Sequence, residues 1–246
     1  MSGLDDRPPP LRGPVLMSQD WRDLAFLHWA VDPDRVQPLL PPGIEPDLLD
    51  GCTYVGLVPF TMVGAGPGRD RPVPWLGTFL ETNVRLYSRD RRGRPGVVFR
   101  SLDCDRLAVV LGARAGFGTP YRWARMRHDV LPHDRGVRHH WASQVRWPRG
   151  AASGARTRID LVVGERRAPT ELDVFLTARW ALHTTVAGRP LHIRNSHDPW
   201  PLHEASLLDL DDELVAAAGL PGVTDRAPDH VAFSPGVPTR FALPTR

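Results

Sequence analysis

Residues 78–88 read Thr-Phe-Leu-Glu-Thr-Asn-Val-Arg-Leu-Tyr-Ser. Aromatic and β-branched residues dominate and nothing interrupts them, so the stretch predicts a strand. Period two places Phe79, Glu81, Asn83, Arg85 and Tyr87 on one face, and Leu80, Thr82, Val84 and Leu86 on the other. The second face reads as core. The first has two readings. On a surface strand it is the solvated face, and a Glu81–Arg85 pair there contributes under ~1 kcal/mol. Inside a small barrel, the same polar residues bracketed by Phe79 and Tyr87 would line a pocket.

Working outward, Arg89 to Pro95 is a polar turn and Gly96–Asp103 returns as the hairpin partner. Upstream, Cys52–Val63 reads as a mostly buried strand in which Pro59 marks an edge or a bulge. Gly64–Pro74 reads as a Gly/Pro loop. Arg22–Val31 predicts a strand with Leu24, Phe26 and His28 on one face. Asp32-Pro33 caps a short helix carrying Val36, Leu39 and Leu40. Downstream, Asp105–Arg114 suits a helix, and strands are expected near 121–128, 138–147 and 156–163. Glu171–Trp180 and Asp211–Ala218 read as helices, the latter capped by Asp211 or Asp212 and ended by Gly219. Many strands, few helices and frequent turns give a β-rich α+β domain, a barrel or cone. Residues 1–17 read as a Pro-rich lead-in and 18–246 as a single domain.

The chain has 246 residues, 41% of them apolar, and its formal net charge is +3. All 31 basic residues are arginine; there is no lysine. From Arg85 to Arg149 there are 15 arginines against five aspartates, whereas Pro201–His230 holds seven acids and Arg226 alone. The basic block reads either as a nucleic-acid face or as an Arg-rich surface offset by the acidic segment. No zinc-finger, helix-turn-helix or RNA-binding signature accompanies it, and the second reading is preferred. Cys52 and Cys104 lack metal spacing. His139-His140 and the scattered His192, His197 and His203 read as solvated or core histidines. No nucleotide or metal motif is present, so no cofactor is expected. No signal peptide or membrane-length apolar run occurs, and a cytoplasmic setting without membrane partners is expected.

Several ordered segments carry a resemblance: HWAVDPDRVQPLLPPGI, DGCTYVGLVPFTM, FLETNVRLY, GVVFRSLD, TPYRWARM, FLTARW, HDPWPL and FSPGV. Together they resemble the YqjF-like domain-of-unknown-function family, over roughly Asp20 to Pro244. That family is grouped with acetoacetate decarboxylase-like proteins. The resemblance implies an antiparallel β-barrel or cone with a central cavity and a few peripheral helices. Against the decarboxylases, Trp21-Arg22-Asp23 stands where their Asn-Arg-Glu run lies, which makes Arg22 the match to an active-site arginine. Gly77-Thr78-Phe79-Leu80-Glu81 resembles their Gly-x-Tyr-x-Glu, which makes Glu81 the match to a catalytic-site glutamate. A second cavity glutamate of theirs has no counterpart in YVGLVPF. Their Pro-Lys-Lys, source of the Schiff-base lysine, corresponds to Pro120-Tyr121-Arg122.

That departure removes the imine chemistry. A Schiff base needs a neutral primary amine, which a lysine beside another cation supplies in acetoacetate decarboxylase. Arg122 stays charged and is a poor nucleophile. What the resemblance leaves is a cavity with Glu81 and Tyr121 as proton carriers and Arg22 and Arg122 as binders of a carboxylate or enolate. A phenol flanked by guanidinium groups is expected to be acidified. Bland readings stand beside these: Tyr121 as a rim aromatic, Arg22 paired with Asp20 or Asp23. The sequence thus supports a non-imine lyase, isomerase or cyclase acting on a small oxo- or enolisable acid. It also supports a non-catalytic ligand-binding or structural barrel, and it leaves a homo-oligomer open.

Overall fold

The computed structural model describes residues 7–11, 13–150, 152–186 and 188–243, the side chains of Phe117 and Arg189 excepted. Within them run β1 (Val15–Val31), α1 (Pro33–Val36), β2 (Ile44–Pro46), β3 (Thr53–Pro67), β4 (Phe79–Asp90), β5 (Pro95–Cys104), α2 (Leu107–Phe117), β6 (Tyr121–His133), β7 (Gly136–Trp147) and β8 (Arg156–Arg166). There follow α3 (Glu171–Thr177), β9 (Ala181–Val186), β10 (Arg189–His197), β11 (His203–Asp212), α4 (Leu214–Ala217) and β12 (His230–Ala242).

All twelve strands belong to one sheet, ordered β10-β9-β5-β6-β7-β8-β11-β12-β1-β3-β4-β2. The β4–β5 hairpin closes it, since Glu81 pairs with Cys104 and Arg89 with Pro95. A second closure arises because β9 touches β5 at Val97–Leu182 and β10 pairs with β12 from Asn195 to His197. The strands β12, β1, β3, β4 and β5 are therefore shared by two rings. One is completed by β6, β7, β8 and β11; the other by β9 and β10.

Sharing explains the sequence of the shared strands. Each has both faces covered, so residues 24–29 and 53–60 are continuously buried instead of alternating. On β1, Ala25, Leu27 and Trp29 pack with Val84, Leu86, Trp141, Ile159 and Leu161 in the larger ring. Leu24 and Phe26 face the opposite way, with Val58, Phe60, Phe79 and Trp200. Pro59 sits where the β1–β3 ladder is interrupted, between the pairs Arg22–Thr61 and Leu27–Leu57. Its missing N–H thus falls at an irregularity, as its position in the sequence implies.

The elements follow the sequence reading with specific differences. Asp32 caps α1 through its side chain, with Pro33 at the first position. The 89–95 turn is ordered by Asp90, which accepts from the backbone N–H groups of Arg92 and Arg94. β3 continues through Gly64–Pro67, part of the expected loop. β1 begins at Val15, shortening the expected lead-in, of which residues 1–6 and 12 lie outside the described residues. Asp212 does accept from the N–H of Val215, but β11 runs through Asp212 and α4 is a single turn starting at Leu214. Of the described helices, none is long and apolar enough to cross a membrane.

Candidate functional site

The ring completed by β9 and β10 is not filled by side chains. It holds a cavity of about 530 Å³. Its wall is largely apolar and includes Leu24, Val58, Phe60, Phe79, Leu102, Ile193 and Phe241. Trp21 and Trp200, also in the wall, stack with centroids 5.7 Å apart and planes 5° from parallel. The polar stripe of β4 lies along one side, with Glu81, Asn83 and Arg85 all lining the space. Of the two readings open from the sequence, the pocket-lining one holds.

Tyr121 joins the stripe from a neighbouring strand. β5 and β6 run parallel, with Leu102 level with Tyr121, so both side chains enter the same cavity. The Tyr121 hydroxyl donates to Glu81 Oε2 at 2.7 Å. Glu81 is only 3% exposed. Burial raises its pKa to about 7, against hydrogen bonds from Tyr121 and Asn83 that lower it. Tyr121 moves opposite to the sequence expectation. Burial, then the Glu81 charge, push the phenol well above its ordinary value, so it stays a donor. The groups acting on it are Glu81 and Cys104, with no guanidinium among them.

The two predicted arginines do not join this pair. Arg22 points outward, its side chain 53% exposed and paired with Asp20 at 2.9 Å. The reason is local. Asp23 has a φ of 50°, and the β1–β3 register shifts between Arg22 and Leu27. This bulge reverses the alternation, so Trp21 instead of Arg22 shares the cavity with Leu24. Arg122 follows Tyr121 on a strand and necessarily faces the other way. It is buried in the larger ring, where Nε donates to Asp103 at 2.6 Å and Ser143 donates to the second carboxylate oxygen at 3.0 Å. This is a structural ion pair.

The cation that does line the cavity is Arg85. Its Nε donates to the Tyr87 hydroxyl at 3.0 Å and its Nη2 to the carbonyl of Leu176 at 3.1 Å. Its guanidinium carbon lies 5.5 Å from the ring centroids of both Phe26 and Tyr87. Among the described residues it has no carboxylate partner within salt-bridge distance. A guanidinium facing an apolar cavity without a counter-ion favours an anion there. Period two from Glu81 to Arg85 is the sequence signal for it.

Tyr87 is itself anchored. Its hydroxyl is 2.6 Å from His28 Nε2, His28 Nδ1 is 2.9 Å from His230 Nδ1, and His230 Nε2 is 2.7 Å from Asp173 Oδ1. Arg167 clamps Asp173 with two bonds of 2.6 Å. A carboxylate only accepts, so His230 donates through Nε2. The Tyr87 hydroxyl is also 3.0 Å from the carbonyl oxygen of Leu176, so its single proton has two acceptors within reach, that oxygen and His28 Nε2. Burial, then the neighbouring His230 and Arg85, hold His28 well below its ordinary value, consistent with a neutral ring. No pattern in the sequence joins these separated residues; the fold alone assembles them.

Residues 18–238 match the DUF2071 family, described as an uncharacterized conserved protein. The uncharacterized protein YqjF of Bacillus subtilis (strain 168) is 31% identical over 190 residues, covering 77% of this chain and 76% of that protein. Among solved structures, an acetoacetate decarboxylase-like enzyme from Sphingomonas wittichii RW1 superposes with a TM-score of 0.61 at 17% identity, over 96% of this chain and 93% of that one. The enduracididine biosynthesis enzyme MppR complexed with pyruvate gives 0.61 at 16% identity, over 95% and 91%. The acetoacetate decarboxylase of Legionella pneumophila gives 0.58 at 15%, over 99% and 93%. At these identities the likeness is one of fold. The chain belongs to the DUF2071 family, with YqjF as a relative, and it has the acetoacetate decarboxylase-like fold.

Proposed function

We propose that this protein is an acid–base enzyme that moves a proton at the carbon next to a carbonyl group of an oxo acid, without a Schiff base. The observation that carries the reading is the Glu81–Tyr121 pair, 2.7 Å apart and buried in a roomy cavity. A carboxyl group titrating near neutral pH can both take and return a proton. In the proposed step, the C–H bond breaks, its proton passes to the Glu81 carboxylate and its electron pair delocalises onto the carbonyl oxygen as an enolate. Once solvent has replaced the proton on Glu81, delivery of the new one to the same carbon gives exchange, and delivery to another position gives isomerisation. Tyr121 holds the carboxylate and keeps its own proton as a donor. Arg85 anchors the substrate carboxylate in the role that the sequence suggested for Arg22. The absence of lysine is the reason an enolate, instead of an imine, has to carry the charge.

That MppR has been solved with pyruvate bound supports an oxo acid as the ligand class. The reading gives the Arg-rich segment no nucleic-acid role. Arg89, Arg94, Arg122 and Arg138 pair with Asp47, Asp90, Asp103 and Asp160, which offsets charge that a phosphate track would need. The test is deuterium uptake at the α-carbon of oxo acids in D2O, followed by proton NMR. Wild-type protein is expected to accelerate uptake, and Glu81→Gln to abolish the acceleration. Ligand binding with no accelerated uptake by the wild-type protein would refute the enzyme reading and leave the non-catalytic ligand-binding alternative.

A further inference from the structure

We infer that the ligand is an elongated amphipathic acid, because one cavity places the unpaired Arg85 guanidinium and the Glu81–Tyr121 pair at separate stations of a largely apolar wall. Its carboxylate would sit at Arg85, its reacting carbonyl would sit beside Glu81, and an apolar body of about ten heavy atoms would join them. This rests on the acid–base reading above and narrows its substrate.

Spacing carries the argument. β4 pairs with β3 without a register shift from Phe79 to Leu86, so Glu81 and Arg85 are separated by regular strand. Four residues of strand span about 13 Å between Cα positions. The Arg85 guanidinium is held between aromatic rings, its carbon 5.5 Å from the centroids of both Phe26 and Tyr87. Its Nε is bonded to Tyr87, which lies farther along the strand from Glu81. On that spacing a ligand longer than pyruvate or acetoacetate is the one that engages both groups. The intervening wall is apolar, contributed by Val58 and Phe60 of β3 and by Phe99 and Leu102 of β5. The cavity volume of about 530 Å³ also lies within the range that encloses ligands much larger than acetoacetate.

Asn83 adds a third feature. It lies between Glu81 and Arg85 on the same face, is 4% exposed, and its Oδ1 has no hydrogen-bond partner. Its amide nitrogen is directed at Glu81, whose pKa it lowers. That oxygen is itself sealed from the cavity, so Asn83 acts there through its hold on Glu81.

The test is a binding series on the full chain: acetoacetate, 5-oxohexanoate, 9-oxodecanoate and 2-decanone. Calorimetry and tryptophan fluorescence are the readouts, since Trp21 and Trp200 form part of the wall. The expected result is that 9-oxodecanoate binds at least about tenfold tighter than acetoacetate and 5-oxohexanoate. Loss of the carboxylate in 2-decanone, or of the guanidinium in Arg85→Met, is expected to cost about tenfold or more. The 2-decanone comparison uses unaltered protein and so does not depend on the variant folding. Equal affinity for acetoacetate and 9-oxodecanoate, or for 9-oxodecanoate and 2-decanone, would overturn the inference. The two claims fail differently. Selective binding of 9-oxodecanoate without proton exchange sinks the acid–base reading alone, whereas exchange of acetoacetate without preference for length sinks only this inference.

Discussion

Replacing Glu81 by glutamine isolates the cost of burying its charge. The folded protein holds the Glu81 pKa at about 7, against an ordinary 4.5. Below pH 4.5 the carboxyl is protonated in both the folded and the unfolded chain, and it adds no difference. As pH rises through 7, the unfolded chain ionises freely, while the folded chain retains the proton or accepts a buried charge. Stability present at low pH is therefore lost across the window from 4.5 to 7. At roughly 1.4 kcal/mol per pH unit, that window amounts to about 3 kcal/mol. Glutamine keeps an acceptor for the Tyr121 hydroxyl and does not titrate. Glu81→Gln is thus expected to gain about 3 kcal/mol on wild type between pH 4 and pH 8, or roughly 6–12 °C in Tm for a chain of this size. Urea unfolding of both proteins at pH 4, 6 and 8 measures it. Because the comparison is between two proteins at one pH, the titration of the histidines cancels. A difference that does not change with pH, or a wild type that gains on the variant above pH 7, would refute the reasoning.

Three further outcomes follow from other parts of the molecule. Arg122→Met should cost about 3–5 kcal/mol by leaving Asp103 buried and unpaired, whereas Arg22→Ala should stay within about 0.5 kcal/mol; urea unfolding separates them, and equal effects would contradict the placement of the two arginines. Borohydride reduction with acetoacetate should leave no adduct on any internal residue, because the chain has no lysine; mass spectrometry detecting one would overturn the non-imine reading. Burial holds His139, His183, His192 and His197 at about 4; their contribution to stability should therefore be full above pH 6.5 and fall towards pH 4, with net proton uptake on unfolding, and four such groups outweigh the opposite change from Glu81. A flat stability profile from pH 6.5 to 4 would exclude that.

The polar stripe of β4 is legible in the sequence because a regular strand keeps its period, and no bulge interrupts its pairing with β3 between Phe79 and Leu86. The position of Tyr121 is legible only through the resemblance, since Pro120-Tyr121-Arg122 carries no chemistry of its own. Arg22 falls outside the cavity because a single residue, Asp23, reverses the alternation of β1, and no hydrophobic pattern announces it. Arg122 is a different case: neighbouring strand residues face opposite ways, so it and Tyr121 could not both line one cavity. Strands β9 to β12 are hidden from a sequence reading for a physical reason. The β9–β10 hairpin carries buried His183, His192 and His197 where apolar residues would mark a strand, and β11 exposes much of its length. The second ring is consequently absent from the residue pattern, and the cavity it holds is foreshadowed only by the β4 stripe and by the resemblance.

The central claim is that Glu81 is the group that moves the proton, and the pH dependence of deuterium uptake tests it most directly. The rate at the α-carbon of 9-oxodecanoate in D2O should rise about tenfold per pH unit below an apparent midpoint near 7, then level off as Glu81 becomes fully ionised. Tyr121→Phe removes a hydrogen bond that lowers the Glu81 pKa, so it should move the midpoint upward. Glu81→Gln should leave only the buffer-catalysed rate. A midpoint near 4.5, or a rate in Glu81→Gln equal to that of wild type, would contradict the account.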